Sequence, residues 1–357
     1  MINKDKKYNI ALLGCGRIAE RHATLLQNRD IANVHLTAVC DVDPSRAKLF
    51  GQRYSVNYYC DLHQMMRHEN IDLVSVLTDS GSHFKNVIEL TDYKVNIIVE
   101  KPLALRVDHV DQMIEACENV GVKLFVVKQN RFNLPVLQMR KALAQNRFGR
   151  LNIGTIRVRW CRDQEYYDQD SWRGTWLNDG GVASNQASHH IDLLQWFMGD
   201  VETVNAIART SLADIEAEDT MIATLTFKNG AVGIIEATTA TRPVNLEGSI
   251  SILGTDGTVE IGGFAVNQMK HWQFKEKLDG DEQVLEHFSV NPLDVYGFGH
   301  KAYYKYVIDC LDRGVDGMLS GQEGRKSVKL INALYASAES GKCIRMDDFN
   351  GKSKLGY

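Results

Sequence analysis

The sequence predicts an α/β domain with a doubly wound parallel sheet, followed by an α+β domain built on a large, mostly antiparallel sheet. Three observations carry that prediction. Over roughly the first 130 residues, strand-like runs alternate with helix-like runs, as right-handed βαβ units require. After Asn146-Arg147-Phe148-Gly149 the apolar period falls to two and hairpin turns appear. The 357 residues exceed twice a typical domain. The expected division is 1–130 and 131–357, with the last helices able to pack back on the first part.

Tyr8–Leu13 reads as a short apolar strand entering a glycine turn, then a helix through Leu26. His35–Cys40 is the next strand. Asp43-Pro44 opens a helix, because proline in the first turn already has the φ a helix needs. Leu73–Thr78, Asn96–Glu100 and Lys123–Lys128 are further strands, with helices at Phe84–Thr91 and Val107–Val120. In the second part Ile156, Val158 and Trp160 alternate with Arg157 and Arg159, a strand with one wet face. A helix is predicted over Ser184–Met198. Met221, Ala223, Leu225 and Phe227 alternate again, and Asn229-Gly230 leads into Ala231–Ala237. Asn-Gly signals a hairpin because both residues accept positive φ. Asp256-Gly257 does the same between Ile250–Leu253 and Val259–Ile261, and helices at Gly299–Arg313 and Gln322–Ser340 close the pattern. Two packed domains predict a ligand-binding cleft between them. An open sheet with one apolar face and too few helices to cover it predicts a homo-oligomer.

Hydrophobic residues at 44% and charged ones at 24% are ordinary for a globular chain and exclude a disordered one. A net charge of −4 gives no electrostatic case for a nucleic-acid or membrane-surface partner. No apolar stretch approaches the roughly 20 residues that span a bilayer. Seven cysteines without a CxxC pair read as reduced thiols of a cytoplasmic protein. The first apolar run is broken by Gly14, Gly16 and Arg17, so it reads as a strand rather than a secretory leader.

Gly14-Cys15-Gly16-Arg17-Ile18-Ala19 follows the first strand, with alanine in place of the third glycine of GxGxxG. The first glycine makes the turn, and the second lets backbone approach a pyrophosphate that the helix N-terminus then binds. Asp41 ends the second strand 25 residues after Gly16, where an acidic residue holds a ribose diol. It would repel a 2′-phosphate, so the cofactor expected is NAD rather than NADP, although Arg46 nearby could neutralise it. Glu100-Lys101-Pro102 ends a later parallel strand, on the edge where ligands sit in such sheets. Gly180-Gly181 precedes Asn185 and His189, which on a continuous helix share one face. His189 is then a candidate general base and Asn185 a group that holds it or the substrate. His189, His190 and Asp192 do not read as a metal site, since adjacent helix residues point apart.

Gly14 to Ala19 followed by His22, the Glu100-Lys101-Pro102 run, Gly180-Gly181 and Asn185-xxx-His189-xx-Asp192 together resemble the Gfo/Idh/MocA oxidoreductase family. The spacing match covers nearly the whole chain and includes Gly299-His300 and Glu323-Gly324-Arg325. The resemblance implies a Rossmann domain followed by a substrate-binding and oligomerisation domain. It also implies that Lys101 and His189 flank the oxidised carbon and that Trp172 and Arg173 lie near the cofactor. The cofactor set it implies is completed by Thr78, Ser80, His83, Glu100 and Lys101, beside Gly14, Gly16, Arg17, Ile18 and Asp41. KQNRFNLP (Lys128–Pro135), YYDQDSWRGTW (Tyr166–Trp176) and NQASHHIDLLQW narrow the resemblance to bacterial UDP-N-acetylglucosaminuronate 3-dehydrogenases of O-antigen assembly.

A UDP-sugar has a diphosphate and, here, a carboxylate, so Arg131, Asn133, Tyr166, Tyr167 and Arg173 are candidate substrate ligands through their donors, beside Lys101, Asn185 and His189. Asn185 stands where many family members carry Asp, so it lacks the charge that raises a histidine's pKa, and either His189 or Lys101 is left as the base. The resemblance further implies a tetramer, and 2-oxoglutarate as a hydride acceptor that would restore NAD. Other readings are a family dehydrogenase acting on an inositol or free sugar, an NAD-dependent glycosidase, and a non-catalytic NAD-binding regulator. A regulator would need neither Lys101 nor His189.

Overall fold

The computed structural model describes residues 7–28, 31–290 and 298–357. It divides into two compact units. The first comprises Met1–Ala104, Asp108–Val127 and His300–Arg325, and the second comprises Leu105–Val107, Lys128–Gly299 and Lys326–Tyr357. The segment 300–325 thus belongs with the first unit although it lies far along the chain.

In the first unit, β1 (Tyr8–Leu13), α1 (Arg17–Gln27), β2 (Val34–Cys40), α2 (Pro44–Tyr54), β3 (Asn57–Tyr59), α3 (Leu62–His68), β4 (Leu73–Val76), α4 (His83–Thr91), β5 (Asn96–Val99), α5 (Val107–Val120) and β6 (Leu124–Val126) alternate. The six strands form a sheet in the order β3-β2-β1-β4-β5-β6, and every pair is parallel. The strands β1, β4, β5 and β6 are buried on both faces, in keeping with their apolar runs. β1 borders both β2 and β4, so the strand order reverses there, and ligands of open α/β sheets bind outside the carboxyl ends at that point. Asp43 caps α2 by accepting from the Ser45 and Arg46 amides, which confirms the Asp43-Pro44 start. β3 and α3 are too short for periodicity to reveal them.

The second unit holds α6 (Leu134–Ala144), β7 (Leu151–Arg159), α7 (Gln164–Asp168), α8 (Ser188–Met198), β8 (Val201–Arg209), β9 (Thr220–Phe227), β10 (Val232–Thr238), β11 (Glu247–Gly254), β12 (Gly257–Gly262), β13 (Gln268–Phe274) and α9 (Val284–His287). The chain ends with α10 (Gly299–Arg313), α11 (Gly321–Ser340) and β14 (Ile344–Arg345). The sheet order is β13-β12-β11-β7-β10-β9-β8-β14. All its pairings are antiparallel except β7 with β10, which are parallel neighbours. One face packs Ile156, Val158, Ala223, Leu225, Ile235 and Ile250 into the core with α8. The Asn-Gly hairpin forms between β9 and β10, with Gly230 at φ +85 and Asn229 not at positive φ.

One predicted element is corrected. The helix expected over Ser184–Met198 is two pieces, a π turn at Val182–Gln186 and then α8 from Ser188. The Ala187 amide reaches back five residues to the Val182 carbonyl (2.7 Å), which inserts an extra residue into the turn and shifts the register between Asn185 and His189.

Candidate active site

In the first unit, the turn after β1 is shaped by what it cannot hold. Gly14 sits at φ +101, and a Cβ there would lie 2.7 Å from the Leu77 backbone. Gly16 is the N-cap of α1 with no side chain capping it, and a Cβ on it would meet nothing within 4 Å. Arg17 is exposed and Ile18 half-buried on the first helical turn. The result is an open, uncapped helix N-terminus behind a turn closed tightly on β4, which suits a pyrophosphate. Asp41 accepts from the Cys15 amide (2.7 Å) and the Asp43 amide (2.8 Å). A carboxylate offers about four lone-pair sites, so these two bonds fix it while leaving capacity for a ribose diol. Arg46 pairs with Asp43 at 3.6 Å. These residues fit NAD.

Glu100 and His83 form the support beneath Lys101. Glu100 is 7% exposed; it accepts from the Lys101 amide (3.0 Å) and bonds His22 Nε2 (3.1 Å). His22 Nδ1 meets the Tyr304 hydroxyl (2.6 Å), which also lies 3.1 Å from Ser75 Oγ. Burial opposes ionisation of Glu100, but the His22 hydrogen bond and the charges of His22, His300 and Lys101 outweigh it and hold the carboxyl down to about 2. Ligand-type atoms of His22, Glu100 and His300 lie within 4.8 Å of one another, and both His22 nitrogens are used on Tyr304 and Glu100.

His83 is 1% exposed, its ring nitrogens 2.9 Å from the Pro102 carbonyl and 3.2 Å from the Thr78 carbonyl. Burial lowers its pKa. Glu100 and His83, both expected at the cofactor, are buried, and His83 joins the loops after β4 and β5. Ser80 is also buried, and the Thr78 hydroxyl donates to Asn86 (2.9 Å).

In the second unit, His189 lies half-buried in the first turn of α8. The Gln129 side-chain amide lies 2.9 Å from its Nε2. His190, its neighbour, is fully buried against Trp160, and burial pushes its pKa down to about 4. Asn185 donates to buried Asp179 and accepts from Gln186 (3.0 Å). Gln186 also donates to the Tyr166 hydroxyl (2.9 Å), and so does Arg173 (2.9 Å). The Arg173 guanidinium stacks over both Tyr166 (4.7 Å) and Trp172 (4.6 Å). Asp179, Asn185, Gln186, Tyr166 and Arg173 are thus one hydrogen-bonded chain of half-buried and buried groups.

Three residues expected at the substrate rim are turned inward. Arg131, 2% exposed, places Nε and Nη2 each 2.8 Å from the Asp192 carboxylate. Lys128 reaches the same carboxylate, as does Ser327 at 2.8 Å. Burial works against that carboxylate's charge, but Arg131 and Lys128 hold its pKa well below the usual range. Asn133, 3% exposed, ties down the Ala265 carbonyl (2.9 Å). Tyr167, 6% exposed, bonds Thr239 (2.9 Å), and burial pushes its phenol up to about 12. Their donors serve the interior. Gln129 and Asp179 carry no signal of their own in the sequence, although Gln129 lies within the KQNRFNLP run and Asp179 immediately precedes Gly180.

Residues 8–128 match the NAD-binding Rossmann fold of the Gfo/Idh/MocA oxidoreductases, and residues 140–346 match the C-terminal alpha/beta domain of the same family. The chain is 40% identical to the WlbA dehydrogenase of Bordetella pertussis, solved in complex with NADH and UDP-GlcNAcA, with a TM-score of 0.87 over 95% of this chain and 99% of that one. The WlbA dehydrogenase of Chromobacterium violaceum, solved with the same two ligands, is 39% identical with a TM-score of 0.89 over 96% of each chain. The myo-inositol 2-dehydrogenase of Thermotoga maritima is 26% identical over 351 residues, 96% of this chain and 99% of that protein.

Proposed function

This chain belongs to the Gfo/Idh/MocA oxidoreductase family, and we propose that within it the chain oxidises the 3-hydroxyl of UDP-N-acetylglucosaminuronic acid to the 3-oxo sugar, for O-antigen and lipopolysaccharide synthesis in the cytoplasm. The observation that carries this reading is the 40% and 39% identity, over nearly whole chains, to two dehydrogenases solved with that sugar nucleotide. Relatives whose names give other sugars or inositols, such as the Thermotoga maritima enzyme at 26%, stand further away.

Bound NAD supplies the two-electron acceptor. Gly14, Gly16 and the start of α1 hold its pyrophosphate, and Asp41 its ribose. His189 takes the hydroxyl proton at Nδ1, with its Nε2–H donating to the Gln129 side-chain amide oxygen, the amide orientation that leaves a ring lone pair free. The Lys101 ammonium stabilises the oxygen as it becomes a carbonyl. Asn185, held by Asp179, contacts the sugar. Tyr166, Arg173 and Trp172 present donors and ring faces to the ligands. The working form is a homotetramer, and 2-oxoglutarate restores NAD in place.

The test is single-turnover reduction of bound NAD by UDP-N-acetylglucosaminuronate, followed at the NADH absorbance. Lys101→Met should slow it about 10²–10³-fold, the cost of losing one donor to a developing oxyanion. His189→Ala should cost about 10²–10⁴-fold. His189→Ala should keep NAD affinity. A wild-type rate in either removes that residue from the mechanism. Tight substrate binding with no reduction in the wild type sinks the whole reading.

A further inference from the structure

The start of the segment carrying Asn185 and His189 is capped by two residues remote in sequence. The first amides of a helix lack partners within it. Here Gly181 donates to the Tyr335 hydroxyl (3.1 Å), Val182 to the Glu218 carbonyl (2.9 Å), Ala183 to Glu218 Oε1 (2.8 Å) and Ser184 again to the Tyr335 hydroxyl (3.2 Å). The Tyr335 hydroxyl in turn donates to Glu218 Oε1 at 2.9 Å. That hydroxyl gives its one proton and fills both lone pairs, its full capacity. Glu218 is 2% and Tyr335 1% exposed. Gly181 is dictated by the same contact, since a Cβ on it would stand 2.0 Å from the Glu218 carbonyl oxygen and 2.3 Å from Oε2.

A sequence-local cap would let an ordinary α-helix start here. Four amides held from outside instead anchor residues 181–184, and the chain beyond them closes the wide turn from Val182 to Ala187 (2.7 Å). Asn185 lies inside that turn and His189 in the helical turn that follows. We propose that Glu218 and Tyr335 are positioning residues, which fix this register and thereby aim Asn185 and His189. The inference rests on the roles given to Asn185 and His189 above.

Tyr335→Phe keeps the ring and removes the hydroxyl that two amides use. It should slow single-turnover NAD reduction by UDP-N-acetylglucosaminuronate about 10–10²-fold, the scale of a small misplacement of a reacting group, with NAD affinity unchanged. Glu218→Gln retains an acceptor for Ala183 and should stay within about 3-fold of wild type, whereas Glu218→Leu should fall with Tyr335→Phe. In an Asn185→Ala/His189→Ala background, Tyr335→Phe should add less than about 2-fold, because residues that act through the same groups are not additive once those groups are gone. A general structural role would carry its full cost into that background, and such additivity overturns the proposal, as does a wild-type rate in Tyr335→Phe. Should Glu218→Leu fail to fold, the Tyr335 pair still decides. A wild-type rate in His189→Ala alone would instead refute the base assignment, so the two failures are distinguishable.

Discussion

Asp192→Asn removes an anion shared by two buried cations. Asp192 is 5% exposed, Arg131 2% and Lys128 3%, so water cannot replace the lost charge. Removing one partner of a buried ion pair costs about 3–5 kcal/mol, because the other charge is stranded. Two cations share this carboxylate, which argues for the upper end, while the new amide oxygen still accepts one hydrogen bond and recovers about 1 kcal/mol. The expected loss is therefore about 4 kcal/mol. For a unit of this size that lowers the unfolding midpoint by about 8–16 °C. All five tryptophans, at 160, 172, 176, 196 and 272, lie in the second unit, and the Arg131 guanidinium sits 4.8 Å from the Trp196 ring. Urea unfolding followed by tryptophan fluorescence thus reads the affected unit.

Adding Lys128→Met to Asp192→Asn should restore part of the loss by removing one of the two buried cations. The pH dependence has a definite sign. A depressed carboxylate pKa contributes stability above the ordinary value of 3.8, and this is lost as pH falls below it toward the native value. The Asp192→Asn variant should lack that acid-limb dependence. A loss under about 1 kcal/mol, the worth of an ordinary exposed pair, would refute the buried-triad reasoning.

Asp41→Ser should relax discrimination against NADP, measured by titrating both cofactors; tighter NADP binding by the wild type would show that Asp41 does not read the ribose. Glu218 should titrate near neutrality: burial, with Asp179 adding to it against the hydrogen bonds from Ala183 and Tyr335, raises its carboxyl from 4.5 to about 8. Between those values the unfolded chain has lost a proton that the native one keeps, so stability should fall as pH rises, and Glu218→Gln should flatten that part of the profile. An unchanged profile in the variant would show that Glu218 is ionised throughout. The open face of the second sheet exposes Ile207 (60%), Ile222 (54%), Val232 (44%) and Ile234 (37%), with Ile207 opposite Ile222. Light scattering at micromolar protein should give a tetramer that Ile222→Arg disperses; a monomeric wild type would rule out self-association through this face.

Features written in contiguous residues are legible in the sequence itself. The glycine turn, Asp41 at a strand end, the Asp43-Pro44 cap and the Lys101 loop each need only a few neighbours, so local periodicity and φ preference specify them. The alternation of strand and helix likewise determined a parallel sheet, because crossover handedness leaves few other arrangements. Tertiary structure alone decided which polar residues are committed to the interior. Arg131 and Tyr166 have equal claims by residue type, yet Asp192, 61 residues away, takes the first inward, while the second remains half-buried beside Arg173. It also decided the turn at 182–186. Its caps come from 35 and 151 residues away, and no local pattern encodes hydrogen-bond acceptors supplied by a distant loop and a distant helix. Burial makes such distant pairings compulsory, since an amide or charge shut away from water must find its partner wherever the fold brings one.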